Sequence, residues 1–400
     1  MRQRPFKKIC AIAAIAVGIS SIVPMARSSA ATKSAKKPFV LGVIATVNSP
    51  LAIPGTAEGI QAWAAAVNAK GGINGHRIDL LVRDDKGDPT VALAAARELV
   101  EQKKVIAFVG QGSEVPNAWR DYVVGKKIPV IGGFDVGLYY GQDPTYFTVG
   151  GVYSQITSKI AEYIVAQGGR KVGFVTCTEV EACKAQAAGI KAAFEPTQAK
   201  LVFTQFVAAT LPDYTPVCLA ARDAGIDALT VALAAPTMIS VYDACKQQGM
   251  KLLNIGIGSA VTTDFLKSPG MDGYLSFHLV APFTDTSTPA LQEFQAATVK
   301  YTPKASLNGA AISMVQLLTY SAGKMFEVVV KSGKLGNGAT AADVMNAMYT
   351  VPAGETLGGL IPPTSYVKGK AFSTPCYFLQ QIKNGAFTSP QGLKPTCLGQ

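Results

Sequence analysis

The residues best suited to chemistry in this chain are two adjacent acids, Asp84 and Asp85, and two histidines, His76 and His278. Paired carboxylates can act as general acid and base. However, these two follow a strand pattern, in which neighbouring side chains point to opposite faces. We therefore expect them to end a strand and cap the next helix. Neither histidine belongs to a nucleophile and base signature, so the sequence disfavours a hydrolase.

The glycine-rich stretch NAKGGINGHRIDLL (68–81) is a second candidate for chemistry. A phosphate-binding loop needs the order strand, glycines, helix, whereas these glycines follow a helical pattern and precede a strand pattern. Gly71 and Gly72 suit a left-handed helix cap, and Asn74 with Gly75 suits a turn. We predict a purely structural connection. Because histidines and acids do not cluster, we also expect no metal and no cofactor.

The N-terminal residues have the pattern of an export signal. MRQRPFKK is basic, ICAIAAIAVGISSIVPM is apolar, and RSSAATKSA offers small-residue cleavage sites. The apolar run is interrupted by glycine, serine and proline and is short for a membrane span. We expect residues 1–31 to be a cleaved signal peptide. The remainder is then expected to be soluble in the periplasm or another extracytoplasmic space.

Charge and length limit the class of protein further. The formal net charge of +11 falls to +6 without residues 1–31, because that segment carries five basic residues and no acid. The remaining lysines and arginines are scattered and do not interleave with aromatics, so a nucleic-acid partner is disfavoured. A chain of 400 residues that is 48% apolar is long enough for two domains with separate cores.

Six cysteines follow the predicted signal peptide, an even number in a chain expected to enter an oxidising compartment. A zinc site is the alternative, but a C-x5-C spacing without a second close pair or a nearby histidine is weak evidence for zinc. A free buried thiol is also left open. We predict three disulfides between neighbours in sequence: Cys177 with Cys183, Cys218 with Cys245, and Cys376 with Cys397.

Strand and helix patterns alternate along most of the chain. The first series contains the strands FVLGVIATV, RIDLLV, KVIAFVG and IPVIGG, separated by helical patterns. After YFTVGG (146–151), a helix from Tyr153 opens a second series with the strands RKVGFVTC, LVFTQF, DALTVAL and KLLNIGIG. Strands separated by helices predict parallel β-α-β units. Two long helical stretches follow from about Ala281, and then a tail rich in proline and glycine with strands near 375–383.

The segment VLGVIATVNSPLAIPGTAEGIQAWAAAVNAKGGINGHRIDLLVRDDKGDPTVALAAARELVEQKKVIAFVGQGS resembles the solute-binding receptors of ABC importers, specifically the branched-chain amino-acid-receptor family. The likeness weakens after about residue 150, although the element order fits to the end. It implies an α/β fold of two doubly wound parallel-sheet lobes joined by a three-crossing hinge, closing on a small solute. The lobes are expected at 39–151 plus 282–367 and at 152–281 plus 368–400.

The resemblance places the solute at loops that follow the strands of both lobes. In the first lobe these are NSPLAIPG (48–55), the loop with Ser113, and GGFDVGLYY with Gly133, Phe134 and Asp135. Ser113 can cap a helix or donate to a ligand carboxylate, and the two roles are compatible. The second lobe is expected to contribute Tyr153, Glu181, Ala235, Pro236, Ser259 and His278. A structural role is the commoner one for His278, and Tyr153 is equally explained as a half-buried aromatic.

The sequence departs from the amino-acid receptors at their most specific positions. It reads FDV (134–136) near their threonine, and Gly258 and Ser259 near their acidic partner for the ammonium. A buried ammonium without a carboxylate is unfavourable, and Asp135 and Glu181 are the candidates to replace that acid. The apolar loops favour a hydrophobic aromatic or aliphatic carboxylic acid. A branched-chain or other amino acid is the alternative.

The predicted function is therefore capture of a small molecule by a monomeric receptor that closes around it and docks on ABC permease subunits. A ligand sensor of the same fold is an alternative that the sequence leaves open, because it needs the same closure.

Overall fold

The computed structural model describes residues 36–134, 139–307 and 310–397. The predicted signal peptide and Asp135 lie outside the described residues. The strands are β1 Phe39–Ala45, β2 Ile78–Asp84, β3 Ala107–Gln111, β4 Val130–Gly133, β5 Tyr146–Phe147, β6 Lys171–Cys177, β7 Lys200–Val207, β8 Ala228–Ala232, β9 Leu253–Ile257, β10 Leu275–His278, β11 Ser306–Leu307, β12 Ala310–Ala311, β13 Cys376–Lys383, β14 Ala386–Thr388 and β15 Thr396–Cys397. The α-helices are α1 Thr56–Ala69, α2 Pro89–Arg97, α3 Asn117–Gly125, α4 Tyr153–Ala166, α5 Glu181–Phe194, α6 Thr215–Asp223, α7 Ala235–Gln247, α8 Pro289–Tyr301, α9 Met314–Ser332 and α10 Ala341–Met348.

The first sheet is parallel and has the strand order β2-β1-β3-β4-β5. Helices α1 and α9 pack together, with α9 on β3 and β4, while α2 and α3 pack together with α2 on β1. The apolar residues of the strands alternate accordingly: Val43 and Val109 belong to the main core, while Ile44 and Phe108 belong to a second core with Trp119. This sheet is doubly wound, with a core on each face.

The second sheet repeats the same arrangement and then adds an antiparallel edge. Its order is β7-β6-β8-β9-β10-β13-β14, in which β6 to β10 are parallel and the C-terminal strands β13 and β14 run antiparallel. The order therefore reverses between β1 and β3 in one sheet and between β6 and β8 in the other. Open α/β sheets bind ligands beyond the carboxyl ends of the strands at such a reversal.

Three chain crossings connect the two sheets and lie side by side. The chain leaves the first sheet at Gly151, whose N–H donates to Leu279 O at 2.6 Å and which also bridges to Thr374. It returns after β10 at Ala281, whose N–H donates to Leu360 O at 2.9 Å, and crosses again before β13. The predicted fold of two doubly wound sheets with three crossings is thus confirmed.

Most of the predicted elements are present, with informative exceptions. The sequence also predicts a helix over EACKAQAAGIKAAF (181–194), which coincides with α5. The second of the two long helical stretches, predicted from Gly309, begins only at Met314, because Ser313 caps it by accepting from Gln316 N–H at 3.2 Å. The short strands β5, β10, β11 and β12 were not predicted. Helix α10 was also missed, although Thr340 and Asp343 form a capping box, a recognisable start signal.

The structural readings of the glycine stretch and the cysteines are confirmed. Gly71 and Gly72 adopt positive φ after α1, and a Cβ at Gly72 would lie 2.1 Å from His76 O. The three predicted disulfides are present: Cys177–Cys183 joins β6 to α5, Cys218–Cys245 joins α6 to α7, and Cys376–Cys397 joins β13 to β15.

The acid pair ends its strand as predicted but does not cap the next helix. Asp84 accepts hydrogen bonds from the N–H of Val47 and Lys86 at 3.0 and 2.9 Å. Helix α2 is capped by Asp88, whose carboxylate accepts from the N–H groups of Thr90 and Val91 at 2.7 and 3.1 Å. The cap falls on the residue next to Pro89, because proline at the first helical position fixes where the helix begins.

Candidate functional site

A cavity of about 390 Å³ lies where the carboxyl ends of the two sheets face each other. Four residues from loops of the first sheet line it: Leu51, Ile53, Glu114 and Phe134. The second sheet contributes residues that follow its strands and begin its helices, among them Tyr153, Cys177, Val180, Leu233, Ala234 and Ser259. The cavity therefore opens at the strand-order reversals of both sheets. Its volume is within the range of pockets for small molecules.

The lining is largely apolar. Its polar side chains are one acid, five hydroxyls and one amide: Glu114, Tyr153, Thr157, Ser158, Gln186, Thr230 and Ser259. No lysine, arginine or histidine is among the described lining residues. A solute that fits must therefore be mostly apolar, and any negative charge on it must be met by hydrogen bonds and not by a basic side chain.

Glu114 is the ionisable carboxyl group in this lining, and the sequence analysis missed it. Its N–H donates to Thr46 Oγ1 at 2.9 Å, while its half-buried carboxyl group makes no hydrogen bond or ion pair with any residue that the structure describes. Burial, and then the negative charge of Asp85, raise the pKa of Glu114 to about 8. At neutral pH the carboxyl group is thus mainly protonated and can donate as well as accept a hydrogen bond.

Asp85 fixes the loop that carries Glu114. Its buried carboxylate accepts from Thr46 Oγ1 at 2.6 Å, from Ser113 Oγ at 2.5 Å and from Gly87 N–H at 2.9 Å. The loops after β1, β2 and β3 are joined in this way. Because Thr46 Oγ1 in turn accepts from Glu114 N–H, the carboxylate indirectly sets the position of Glu114.

Asp85→Asn is expected to lower the free energy of unfolding by about 2 to 3 kcal/mol, because the amide places a donor where three donors converge and removes charged hydrogen bonds. Urea unfolding at pH 7 measures the loss. The matched control is Asp79→Asn on the preceding strand β2, since Asp79 is exposed and should change little. Equal stability of the two variants would contradict the role given to Asp85.

Ser113 lies beside the cavity but does not line it. It is fully buried, its hydroxyl donates to Asp85, and it accepts from Val115 N–H at 3.1 Å. The predicted capping role is wrong, because α3 begins later, at Asn117, after Pro116. Gly133 also does not line the cavity; a Cβ there would lie 2.2 Å from Gln111 O, so this position serves close backbone packing.

Phe134 and Tyr153 are brought together as expected. Phe134 follows β4 of the first sheet, Tyr153 begins α4 beside the second sheet, and both line the cavity. Their ring centroids lie 5.6 Å apart in an edge-to-face arrangement. This contact closes one wall of the cavity from both sides.

The other second-lobe predictions have mixed outcomes. Ser259 lines the cavity. Ala235 and Pro236 begin α7 just behind the lining residue Ala234, but are not part of the lining. Glu181 is exposed and pairs with Lys184 at 3.0 Å, also outside the lining.

His278 has the structural role that the sequence favoured. It is fully buried, and its Nε2 lies 2.8 Å from Ser276 Oγ. Burial lowers the pKa of His278 to about 3, so the ring is neutral at physiological pH. Its ring also packs against Gly258, where a Cβ would approach it to 2.6 Å.

Three helices begin at the cavity without a side-chain cap. Tyr153 is the first residue of α4, Val180 is the N-cap of α5 and Ala234 is the N-cap of α7; all three line the cavity. Helix N-termini carry free N–H groups and a partial positive charge. They supply the donors that a carboxylate needs in the absence of a basic side chain.

Among the described residues, no helix has the length and apolar character needed to cross a membrane. Within the same ranges, no group of three or more histidines, cysteines or acids is arranged to hold a metal ion.

The chain belongs to the periplasmic binding protein family, whose model, described as "Periplasmic binding protein", matches residues 38–386. Proteins of this family and fold are solute-binding receptors and not enzymes. The resemblance to receptors of ABC importers is therefore confirmed.

Individual relatives agree with the fold. The chain is 33% identical over 110 residues to an amino acid binding protein from Pseudomonas aeruginosa, a match that covers 26% of this chain and 27% of that protein. A branched chain amino acid ABC transporter from Thermus thermophilus with bound valine superposes with a TM-score of 0.79 at 15% identity, covering 91% and 98% of the chains. A solute binding protein from R. palustris in complex with benzoate superposes with a TM-score of 0.73 at 16% identity. The match covers 90% of this chain and 97% of that chain.

Proposed function

We propose that this protein is an extracytoplasmic receptor that captures a small solute between two lobes and delivers it to the permease of an ABC importer. The lobes are residues 39–151 plus 282–367 and residues 152–281 plus 368–400. The proposal is supported by membership of the periplasmic binding protein family and by a cavity at the strand-order reversals of both sheets. A solute that contacts both lobes stabilises the closed form, and the closed form is the state that docks on the permease.

The solute that we propose is a hydrophobic aromatic or aliphatic carboxylic acid. The observation that carries this choice is the combination of an apolar lining with three uncapped helix N-termini. The apolar body of the solute fills the cavity, and the carboxylate accepts hydrogen bonds from the helix starts. The structural neighbour in complex with benzoate shares the fold and gives a precedent for this class.

Glu114 supports a second candidate, an apolar amino acid. The sequence analysis found no acid near the position expected for the ammonium partner, but the Glu114 carboxyl group faces the cavity and is free of protein partners among the described residues. An ionised Glu114 can pair with an ammonium, while the N–H groups at the helix N-termini donate to the carboxylate. The valine-bound neighbour is a precedent for this class.

A thermal-shift screen of the purified protein tests the proposal. Benzoate, phenylacetate and hexanoate are compared with leucine, valine and phenylalanine, and with glucose as a neutral polar control. An acid present at a hundredfold its dissociation constant should stabilise the protein by about 2.7 kcal/mol, a clear rise in melting temperature. Stabilisation by amino acids alone supports the second candidate. Stabilisation by glucose alone would exclude both.

The importer role has its own test, because a sensor of the same fold needs the same cavity. Deletion of the gene is expected to abolish uptake of the radiolabelled solute found in the screen. Uptake that is unchanged in the deletion strain would favour a sensor.

A further inference from the structure

We infer that the solute site continues from the cleft between the sheets into an inner chamber of the second lobe, where it holds an elongated apolar tail that carries a hydrogen-bonding atom. The inner chamber is bounded by α4, α5 and the face of β6 and β8, and its main lining residues are Ile160, Phe174, Gly189, Ile190, Ala193 and Thr230. The inference rests on the proposed function, since it names the kind of acid that the same site takes.

The length of the cavity along α5 is the first argument. The lining follows this helix from its N-cap, Val180, through Cys183 and Gln186 to Ala193 near its end. The ten residue steps from Cys183 to Ala193 correspond to about 15 Å along a helix axis. This is longer than the side chain of leucine, valine or phenylalanine, so a small amino acid held in the cleft leaves the inner chamber unfilled.

The composition of the two helices explains why this space exists. Where α4 and α5 pack together, their residues that line the cavity include small ones, Ser158 on α4 and Ala185, Gly189 and Ala193 on α5. Gly189 is exposed, and a Cβ added there would meet no atom within 4 Å, so the lining is open at this position. Protein interiors are normally packed so closely that few voids exceed the size of a water molecule. The space that these small residues leave along α5 is therefore available to a ligand.

Thr230 provides the second, independent argument. It lies on β8, is only 3% exposed and lines the inner chamber, yet its Oγ1 has no hydrogen-bond partner among the described residues. Its strand partner is Phe174, three positions before Cys177, so Thr230 lies about 10 Å below the edge of the sheet at the cleft. A buried hydroxyl without a partner is unfavourable. A hydroxyl, ether or carbonyl oxygen on the tail of the solute would satisfy it.

The chemical class that follows is a carboxylic acid with an extended aliphatic or arylalkyl tail and an oxygen part way along it. The carboxylate lies in the cleft, and the tail enters between α4 and α5. In a matched series of acids that differ only in tail length, each methylene buried should increase affinity about fourfold until the chamber is full.

Calorimetric titration of Ala193→Phe tests this placement. The probes are phenylacetate, as a short acid, and 6-phenylhexanoate, as a long one. The variant should bind the long acid at least tenfold more weakly than the unmodified protein and the short acid within twofold. Ala188→Phe is the control, because Ala188 is exposed on the same helix and outside the lining. An equal loss of affinity for both acids in Ala193→Phe would contradict the placement of the tail in the inner chamber. Equal affinity of the unmodified protein for the two acids would contradict it as well.

Thr230→Val is a second variant that keeps the volume and removes the hydroxyl. It should weaken binding of an oxygen-bearing tail by about fivefold or more relative to the plain tail of the same length. An equal effect on both tails would mean that Thr230 has no role in recognition. Binding of short acids with no effect of tail length leaves the proposed function standing and excludes the chamber, whereas binding of no acid at all excludes the proposed function itself.

Discussion

Glu114→Gln is expected to abolish the pH dependence of acid binding and to strengthen that binding at least tenfold at pH 9.5. In the unmodified protein the pKa of Glu114 is raised to about 8, so below that pH its carboxyl group is neutral and can donate to the carboxylate of the solute. Above it, the ionised Glu114 repels the solute. Affinity for an acid should therefore fall about tenfold for each pH unit above 8, whereas the glutamine remains a neutral donor.

An affinity that rises with pH, instead of falling, identifies an amino acid as the solute. An ammonium pairs with the ionised form, so affinity rises as the pH increases towards 8, and Glu114→Gln then weakens binding at every pH. The charged group that acts on Glu114 is Asp85 on the neighbouring loop, and Tyr153 is the other titratable side chain among the lining residues that the structure describes. Titration calorimetry from pH 6 to 9.5, with Asp79→Asn as the control, separates the two cases. If binding to Glu114→Gln has the same pH profile as binding to the unmodified protein, both the role of Glu114 in acid binding and its role in amino-acid binding are contradicted.

The same variant has a consequence for folding. Folding raises the pKa of Glu114 from 4.5 to about 8, so the folded protein loses stability relative to the unfolded chain as pH rises through that interval. Glu114→Gln should be as stable as the unmodified protein at pH 4 and more stable by about 2 kcal/mol at pH 8, after allowance for partial exposure of the side chain.

Phe134→Ala and Tyr153→Ala are each expected to weaken solute binding by at least tenfold. The two rings come from opposite sides of the cavity and touch edge to face, so each truncation removes apolar contact with the solute and also a contact between the two sides. Edge-to-face pairs contribute about 0.5 to 1.5 kcal/mol beyond their buried area, and the double variant should show a coupling of this size.

Tyr163→Ala is the matched control for this pair. It lies on the same helix as Tyr153, is half-buried and packs on Phe277, but does not line the cavity. All three variants should unfold cooperatively at a reduced melting temperature, and only the cavity variants should lose affinity. Unchanged affinity in both cavity variants would contradict the placement of the site.

The scaffold was largely predictable because its signals are local. The alternation of strand and helix patterns depends on short stretches of sequence and predicted the parallel β-α-β units, while the family resemblance implied two lobes with three crossings. The cysteines, paired in sequence order, gave all three disulfides. The resemblance also pointed to segments that line the cavity, and Phe134, Tyr153 and Ser259 are among its lining residues.

The direction of individual side chains was not predictable. Ser113 and Glu114 are neighbours on the same loop, and the resemblance singled out Ser113 as the residue that contacts the solute. The buried carboxylate of Asp85, 28 positions earlier, holds the Ser113 hydroxyl, and Glu114 is the residue that lines the cavity. No local pattern encodes that hydrogen bond. The only available signal was an acid in a loop at the carboxyl end of β3.

The inner chamber was equally invisible in the sequence. An alanine-rich helix such as α5 normally indicates close packing against its neighbours. Whether small residues let helices approach or leave space between them depends on how α4 and α5 are placed over β6 and β8, which is a tertiary property.

The most direct test of the central claim is a crystal structure of the protein with the tightest-binding acid from the screen. The account predicts electron density between Phe134 and Tyr153, with a carboxylate oxygen within about 3 Å of the Glu114 carboxyl group or of the N-terminal N–H groups of α4, α5 or α7. It also predicts that the tail enters between α4 and α5. A solute bound outside this cavity, with the cavity empty in the same crystal, would contradict the account.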